Sequence, residues 1–386
     1  MPALNARRDR WLIRGLWLAG IVVFCIAWPV IEYPTFDIEP QERTKAFLQL
    51  VLLHGSWLLW PLLAQSVWKA VRRVREHRHA RASGAIVLGV VCALLCYARF
   101  VEPNELVVRR TVIAAPIDLD IAVVADIHVG IYTRTSKLRQ MVDRLNALHV
   151  NLVLFAGDLT YDPPKDLAAA LAPLRHLNKP MYAILGNHDV QLPGPPLAHK
   201  IYRALAGSPV HFIYHRVVDF PTFRLAGLYD WWSTRDDAKF LDALPRDKPL
   251  IVLMHQPHSL RALKGVHFAL AIAGHTHGGQ VALPWLTDKL FMLIRDEKYV
   301  NGYYDTPTGK LFVTPGVGVT GVPLRFNDPP TIDVLELRRD ARGRGAAETS
   351  RPRVVHTRAR ASTTPAGSPL RADPAAPLTQ GGKISP

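Results

Sequence analysis

Cysteine is scarce. Only three of the 386 residues are cysteines, Cys25, Cys92 and Cys96, and all three lie in apolar stretches. No disulfide framework can therefore staple a soluble domain, and the count says little about redox compartment. Cys92 and Cys96 share a helix face and read as small packing residues. Motifs of rival chemistries are also missing: the chain has no His-Glu-x-x-His, no Walker A loop and no Gly-x-Ser-x-Gly, which removes the zincin, P-loop and nucleophile-elbow readings. No internal repeat is evident. Net charge is lacking where a folded domain would carry it. Residues 84–337 hold 25 Lys/Arg against 23 Asp/Glu, residues 1–83 hold 12 against 6, and residues 338–386 hold 10 against 3. Of the formal charge of +15, +13 sits in the flanks. The basic excess thus does not describe the surface of the middle segment, and no nucleic-acid partner is expected.

Charge is absent again from long stretches near the N-terminus. Trp11–Ile31 has one charge, Arg14, while Ala46–Trp68 and Ala82–Ala98 have none. A bilayer span needs about 20 apolar residues, so residues 1–100 read as a membrane anchor with transmembrane helices at 11–31, 46–68 and 82–98. Buried helices of a soluble core are the bland alternative, but Trp57, Trp60 and Trp68 spread along the second stretch speak against it. The basic leader Arg7, Arg8 and Arg10 resembles a secretory signal, yet no small-x-small cleavage site follows CIAWPVIEYP, so an uncleaved anchor is expected. Positive charge concentrates in that leader and in KAVRRVREHRHAR, and cationic loops stay cytoplasmic. Three crossings then place the domain after Phe100 on the extracytoplasmic side of a multi-pass protein of the cytoplasmic membrane. If the third stretch does not cross, the domain lies in the cytoplasm. Residues 341–386 are rich in Pro, Ala and Arg and read as a disordered basic tail, with a strap onto anionic lipid as the functional alternative.

Between the flanks, residues 101–340 form one domain. The runs IAVVAD, NLVLFAGD, MYAILGNHD, RLAGLYD, LIVLMH and ALAIAGH read as strands buried on both faces. Leu138, Met141, Val142, Leu145 and Leu148 keep helical spacing after Thr135 and Ser136, which are suitable N-caps. Asp166–Leu177 and Pro195–Ala206 also look helical. The order is that of a layered α/β domain. In such sheets ligands bind at the C-terminal strand ends, and here those ends carry Asp126 and His128, Asp158, Asn187 with His188 and Asp189, His255, and finally His275 and His277. Without any thiolate, these oxygen and nitrogen donors suit Mn, Fe or Zn at a catalytic site. They are too many for one tetrahedral ion and fit two ions sharing a carboxylate. Glycines in AGD, LGNHD and AGHTHGG let the backbone come close.

The ordered set Asp126-Ile-His128, Gly157-Asp158, Gly186-Asn187-His188-Asp189, His255 and Gly274-His275-Thr276-His277 resembles the calcineurin-like metallophosphoesterase superfamily over about residues 118–337. GHTHGGQVALPW and PGVGVTGVPLRFNDPPTIDVLEL are similar to its membrane-associated bacterial branch of YaeI- and YkuE-type proteins. The resemblance implies a layered αββα sandwich and a metal-dependent phosphoric ester hydrolase (phosphodiesterase or phosphatase) acting through a hydroxide between two divalent ions, Mn²⁺ first and Fe or Zn as alternatives. It implies that Asp126, His128 and His277 hold one ion, that Asn187, His255 and His275 hold the other, and that Asp158 bridges them. It further implies that His188 serves the leaving oxygen and that Asp189 orients His188.

Nearness to the bilayer favours a lipid-linked phosphate or pyrophosphate as substrate, with the lipid bilayer itself as a partner. Cleavage of UDP-2,3-diacylglucosamine, known in the wider family, would need a cytoplasmic domain. A nuclease would need a basic rim, which the near-neutral middle segment does not offer. A noncatalytic metal-supported binding module would be expected to have lost ligands or His188, and none is missing. Several other residues are open to two readings. His258 could support the site or sit on the surface, and Arg325 could reach a phosphate or form a structural ion pair. Trp231, Trp232 and LPWLTDKLFMLI at 283–294 could meet lipid or pack in a core. His149, His176, His199, His211, His215 and His267 have no partner legible in the sequence.

Overall fold

Apolar runs and amphipathic stretches resolve, in a computed structural model describing residues 19–190, 197–230, 238–339 and 354–357, into an N-terminal helical region and two packed sheets. The N-terminal helices are α1 (Ala19–Thr35), α2 (Arg43–Gly55), α3 (Leu59–Arg75) and α4 (His79–Cys96). Residues 11–18 of the first expected span lie outside the described residues.

Pro40–Arg75 runs as one helical stretch of 36 residues. At 1.5 Å per residue it is about 54 Å long, well beyond the roughly 30 Å of bilayer hydrocarbon. Ala46, Gln49, Leu50 and His54 are buried, with Ala46 and Leu50 packed on Phe36 and Ile131. Within the stretch 46–68, Ala46 and Leu50 thus face the α/β domain, while Leu48 and Leu52 are 60% and 45% exposed. Beyond them α3 and α4 pair through small residues. Ser66, Ala82, Ala85, Gly89, Cys92 and Cys96 are buried, and a Cβ on Gly89 would lie 3.6 Å from that of Ser66. Close approach over small side chains is how helices associate in lipid, and it is the packing role expected of Cys92 and Cys96. The outward faces keep Trp60, Trp68, Val87 and Val90 between 45% and 62% exposed.

The α/β domain follows in chain order. It begins with β1 (Val107–Ala114), β2 (Leu119–Val124), β3 (Val129–Gly130), α5 (Thr135–Ala147), β4 (Leu152–Ala156) and β5 (Thr160–Tyr161). Next come α6 (Leu167–Leu171), β6 (Met181–Ile184), α7 (Asn187–Val190), α8 (Ala198–Ala204), β7 (Val210–Phe212), β8 (Arg216–Asp219) and β9 (Arg224–Gly227). Then follow β10 (Leu250–Leu253), β11 (Leu270–Ala273), α9 (Leu286–Arg295), β12 (Gly302–Asp305), β13 (Lys310–Val313), β14 (Thr331–Arg338) and β15 (Val354–Thr357). One sheet has the order β15-β1-β14-β2-β4-β6-β7, the other β12-β13-β11-β10-β9-β8. Strands β2, β4, β6 and β7 are mutually parallel, as are β9, β10, β11 and β13.

Alternation along a strand explains why the runs are apolar throughout. Ile121, Val123 and Leu154 point between the sheets and meet Leu225, Ile251, Leu253 and Ile272. Ala122, Val124, Val153 and Phe155 point outward, onto Leu138, Met141 and Leu145 of α5. Each fully buried Val, Leu, Ile, Met or Phe among them contributes about 1.5–3 kcal/mol by transfer from water. Over the second sheet the outer layer is thinner. Short 3-10 turns at Lys239–Leu241 and Pro257–Leu263 supply Leu241, Leu260 and Leu263 to cover Val252 and Ala271. The layers are those of an αββα sandwich.

Two local expectations change. α5 begins at Thr135 itself, with Arg134 in the cap position and no side-chain capping bond, so neither Thr135 nor Ser136 caps it. Within the tail read as disordered, Val354–Thr357 pairs antiparallel with β1. VVHT is the β-branched run of that segment, and β1 offers it an unpaired sheet edge. The rest of the tail lies outside the described residues, as do Trp231 and Trp232.

Candidate metal centre

Both sheets aim strand ends at one place. Asp126 and His128 follow β2, Asp158 follows β4, and Asn187 opens α7 after β6, all from the first sheet. His255 follows β10 and His275 and His277 follow β11, from the second. The donors thus meet across the seam of the sandwich and do not lie along one edge of a single sheet. Five of them, Asp126, His128, Asp158, His275 and His277, have φ between 51° and 70°. This left-handed region disfavours side chains other than Gly, Asn, Asp and His. Strain of that kind persists only where the surroundings over-determine it, typically at functional sites.

Two ligand groups result: Asp126, His128 and His277, and Asp158, His255 and His275. In the first, Nε2 of His128 and Nε2 of His277 are 2.9 Å apart, and Asp126 Oδ1 lies 3.8 and 3.6 Å from them. In the second, His255 Nε2 lies 3.2 Å from Asp158 Oδ2, 3.2 Å from His275 Nδ1 and 3.1 Å from Asn187 Oδ1. Asp158 Oδ2 is also 3.6 Å from His128 Nε2, so one oxygen stands between the groups. The Ala156 carbonyl, 2.8 Å from His255 Nδ1, holds that nitrogen as the donor and turns Nε2 inward.

Asp126, His128 and Asp158 are within 1% of full burial, and the Asp126 Oδ1 atom has no hydrogen-bond partner. An orphaned carboxylate oxygen facing two imidazole nitrogens at such distances is a donor set for a cation. Burial acts against charge at both groups. Burial pushes the Asp126 carboxyl up to about 8 and the His128 imidazole down to about 3. Burial and the neighbouring His128 hold His277 well below its ordinary value. For His255 burial acts downward, but Asp158 overcomes it and raises the imidazole to about 10. Neutral His128 and His277 are the form that binds metal, and these residues fit the two ions implied by the sequence.

Glycines give the carboxylates room. A Cβ on Gly186 would lie 2.2 Å from Asp158 Oδ1, and one on Gly274 would lie 2.6 Å from Asp126 Oδ2. Gly186→Ala is expected to displace Asp158 and weaken ion binding by about 10–100-fold, read as a higher Mn²⁺ concentration for half-maximal activity. Unchanged Mn²⁺ dependence would contradict the packing described.

His188 stands at the rim. Its backbone N–H donates to Asp158 Oδ1 at 3.0 Å, and its ring lies 5.1 Å from that of His128 and 4.6 Å from that of Tyr161. Burial lowers its pKa, with Asp158 opposing. Asp189 does not orient it. The fully buried Asp189 carboxylate accepts from the N–H groups of Leu159 (2.9 Å), Thr160 (2.9 Å) and Gly186 (3.2 Å) and from the Thr160 hydroxyl (2.8 Å). It clamps the loops after β4 and β6 together. Tyr161, unnoticed in the sequence, sets its ring edge against His188 and His128. Its hydroxyl accepts from Gln49 Nε2 of α2 at 2.7 Å, so the N-terminal region touches the site. The signal was there: Gln49 and His54 are polar residues within an apolar stretch.

Arg325 is wholly buried and structural. It donates to the carbonyls of Pro315, Gly318 and Asp328 and to the Asp328 carboxylate at 2.8–3.0 Å, so it does not reach toward a phosphate. His258 Nδ1 lies 2.6 Å from Glu297 Oε2 and belongs to neither ligand group. Nor do His149, His176, His199, His211, His215 or His267.

Residues 119–279 match the family model described as Calcineurin-like phosphoesterase. Phosphodiesterase YaeI of Escherichia coli (strain K12) is 31% identical over 255 residues, 62% of this chain and 92% of that protein. Metallophosphoesterase YkuE of Bacillus subtilis (strain 168) is 27% identical over 276 residues, 67% of this chain and 94% of that one. A metallophosphoesterase of Helicobacter pylori (strain ATCC 700392 / 26695) is 30% identical over 230 residues, 57% of this chain. The chain spans 60% of the length of that relative.

Proposed function

The chain belongs to the calcineurin-like phosphoesterase family, and from that premise we propose that it hydrolyses a phosphate ester or pyrophosphate at a two-metal centre beside a lipid bilayer. The observation that carries the reading is the Asp158 Oδ2 atom, 3.6 Å from His128 Nε2 and 3.2 Å from His255 Nε2, one oxygen shared by two donor groups. Two divalent ions there, Mn²⁺ by preference, would supply positive charge for phosphate oxygens and acidify an attacking water. Asp126, His128 and His277 hold one position, and Asn187, His255 and His275 the other. The left-handed strand ends fix these donors before substrate arrives, so little reorganisation opposes the reaction. His188 carries one N–H even when neutral and offers it to the leaving oxygen.

His188→Ala is expected to lower turnover about 10²–10⁴-fold, the usual contribution of a positioned proton donor, with bound metal unchanged. Full activity in that variant would remove the assignment. The substrate class is tested with full-length protein in detergent and Mn²⁺. Bis-p-nitrophenyl phosphate and p-nitrophenyl phosphate separate diesterase from monoesterase, and no turnover of either would contradict the reading.

The membrane reading rests on where the helices end. The α1 end packs through Phe36 on the α/β domain, Ser56 before α3 bonds Arg99 after α4 at 3.0 Å, and Ala98 bonds Arg325 at 2.9 Å. The α3–α4 turn, flanked by Arg72, Arg73, Arg75, Arg78 and Arg81, is the opposite end of the hairpin. Cationic turns remain in the cytoplasm, so the α/β domain lies on the outer side, where a lipid-linked phosphate is the fitting substrate class. A reporter fused after residue 340 is expected to be active only outside the cytoplasm. Cytoplasmic activity would instead return the UDP-2,3-diacylglucosamine reading.

A further inference from the structure

Next to the metal centre, α9 leaves an apolar face without a partner among the described residues. Thr287 and Phe291 point inward, against the Gly279 position of the loop that carries His277. Leu286, Leu290, Leu293 and Ile294 fall at i, i+4, i+7 and i+8, one helical face, and are 40%, 42%, 82% and 70% exposed. Trp285, immediately before the helix, is 78% exposed. By the same spacing Asp288 falls on the opposite side and Lys289 flanks the apolar face. A soluble surface seldom leaves so many large apolar groups together. Left-handed residues, Trp285 and Asp296, bound the helix at its two ends.

The position of α9 selects the occupant. The strand-like segment leading into it bridges to the loop before β14 through Val281 and Phe326. Phe326 sets its ring 6.4 Å from that of Tyr97, directly after α4. The neighbouring Arg325 N–H donates to the Ala98 carbonyl at 2.9 Å, and Glu102 accepts from the Asn327 N–H at 2.9 Å. The face of the domain that bears α9 is therefore tied to the point where α4 meets it. An apolar helix stripe beside the exit of a membrane span fits the headgroup boundary of the same bilayer.

We propose that α9 lies in the membrane interface, with Leu286, Leu290, Leu293 and Ile294 among the acyl chains. The His275–His277 loop is thereby held facing the lipid surface. This rests on the membrane reading above, and it adds that the domain docks a second time, through its own surface. A substrate would reach the metal centre from the bilayer plane, with its lipid portion along α9.

Spin labels test it in the full chain, in nanodiscs of phosphatidylethanolamine and phosphatidylglycerol, with the three native cysteines replaced by alanine. One label sits at Leu293→Cys, a second at Ile294→Cys, and a control at Val90→Cys in α4. Oxygen and a water-soluble nickel chelate give the depth. The expected result is that Val90 is deep in the hydrocarbon. Leu293 and Ile294 are expected about 5–10 Å below the headgroup boundary, open to oxygen and shielded from nickel. A lipid-buried Val90 with Leu293 and Ile294 open to nickel would overturn the docking and leave the membrane reading intact. Labels at both α9 positions shielded from both reagents would also overturn it, by showing the face covered by protein such as a second copy. A Val90 label open to nickel would remove the membrane reading and this inference with it.

Discussion

Replacing Asp158 with asparagine is expected to lower turnover by more than the roughly 100-fold that loss of a supporting bond around a metal costs, and to leave fewer than two ions bound. The exchange keeps the shape of the side chain and removes its charge. The Asp158 Oδ2 atom lies within 3.6 Å of a nitrogen from each ligand group, so its charge is the one that both ion positions would share. Without it each group would keep its other three donors, but the charged oxygen common to both would be gone. Losing Asn187 by contrast removes a neutral donor from one group only. Steady-state kinetics on bis-p-nitrophenyl phosphate and metal analysis of the same sample check the expectation. A variant with wild-type turnover would show that the shared oxygen is not needed.

Arg325→Met is expected to destabilise the α/β domain by about 3–5 kcal/mol, the cost of breaking a buried charge pair from one side. The guanidinium is fully buried and gathers the loop between β13 and β14, donating to Pro315, Gly318 and Asp328. Methionine fills much of the volume but leaves those carbonyls and the Asp328 carboxylate without a donor, and unmet buried acceptors are costly. The effect travels toward the metal centre because the same loop bonds the backbone around Asp126. Val317 N–H donates to the Ala125 carbonyl at 3.1 Å and Gly318 N–H to that of Asp126 at 2.7 Å. Arg325→Lys keeps the charge but loses the planar fork, so it is expected to recover only part of the loss. Denaturant unfolding of the detergent-solubilised protein measures both variants. Equal midpoints for wild type and Arg325→Met would contradict the structural role.

Much of the site was legible because its chemistry is local in sequence. A strand buried on both faces must be apolar along its length, so the polar residue that ends IAVVAD or LIVLMH marks where the chain leaves the core. That logic found Asp126, Asp158 and His255 one strand at a time. It could not tell that the strands divide between two sheets, because pairing across the sandwich is a long-range choice that strand composition does not encode. The left-handed backbone at His275 and His277 was likewise invisible, although the glycines around them hinted at a tight turn. Asp189 misled for a clear reason. Adjacent to His188 in sequence, it nevertheless faces backbone N–H groups whose positions depend on how two loops meet. α2 was harder to read: hydropathy registers that Ala46–Gly55 is apolar, but protein and lipid reward apolar surface alike, and composition does not tell that Ala46 and Leu50 face Ile131.

Metal analysis of full-length, active protein purified without chelator and equilibrated with Mn²⁺ is the most direct measurement. The account predicts two ions per chain. Maximal turnover with one ion or none bound would contradict it.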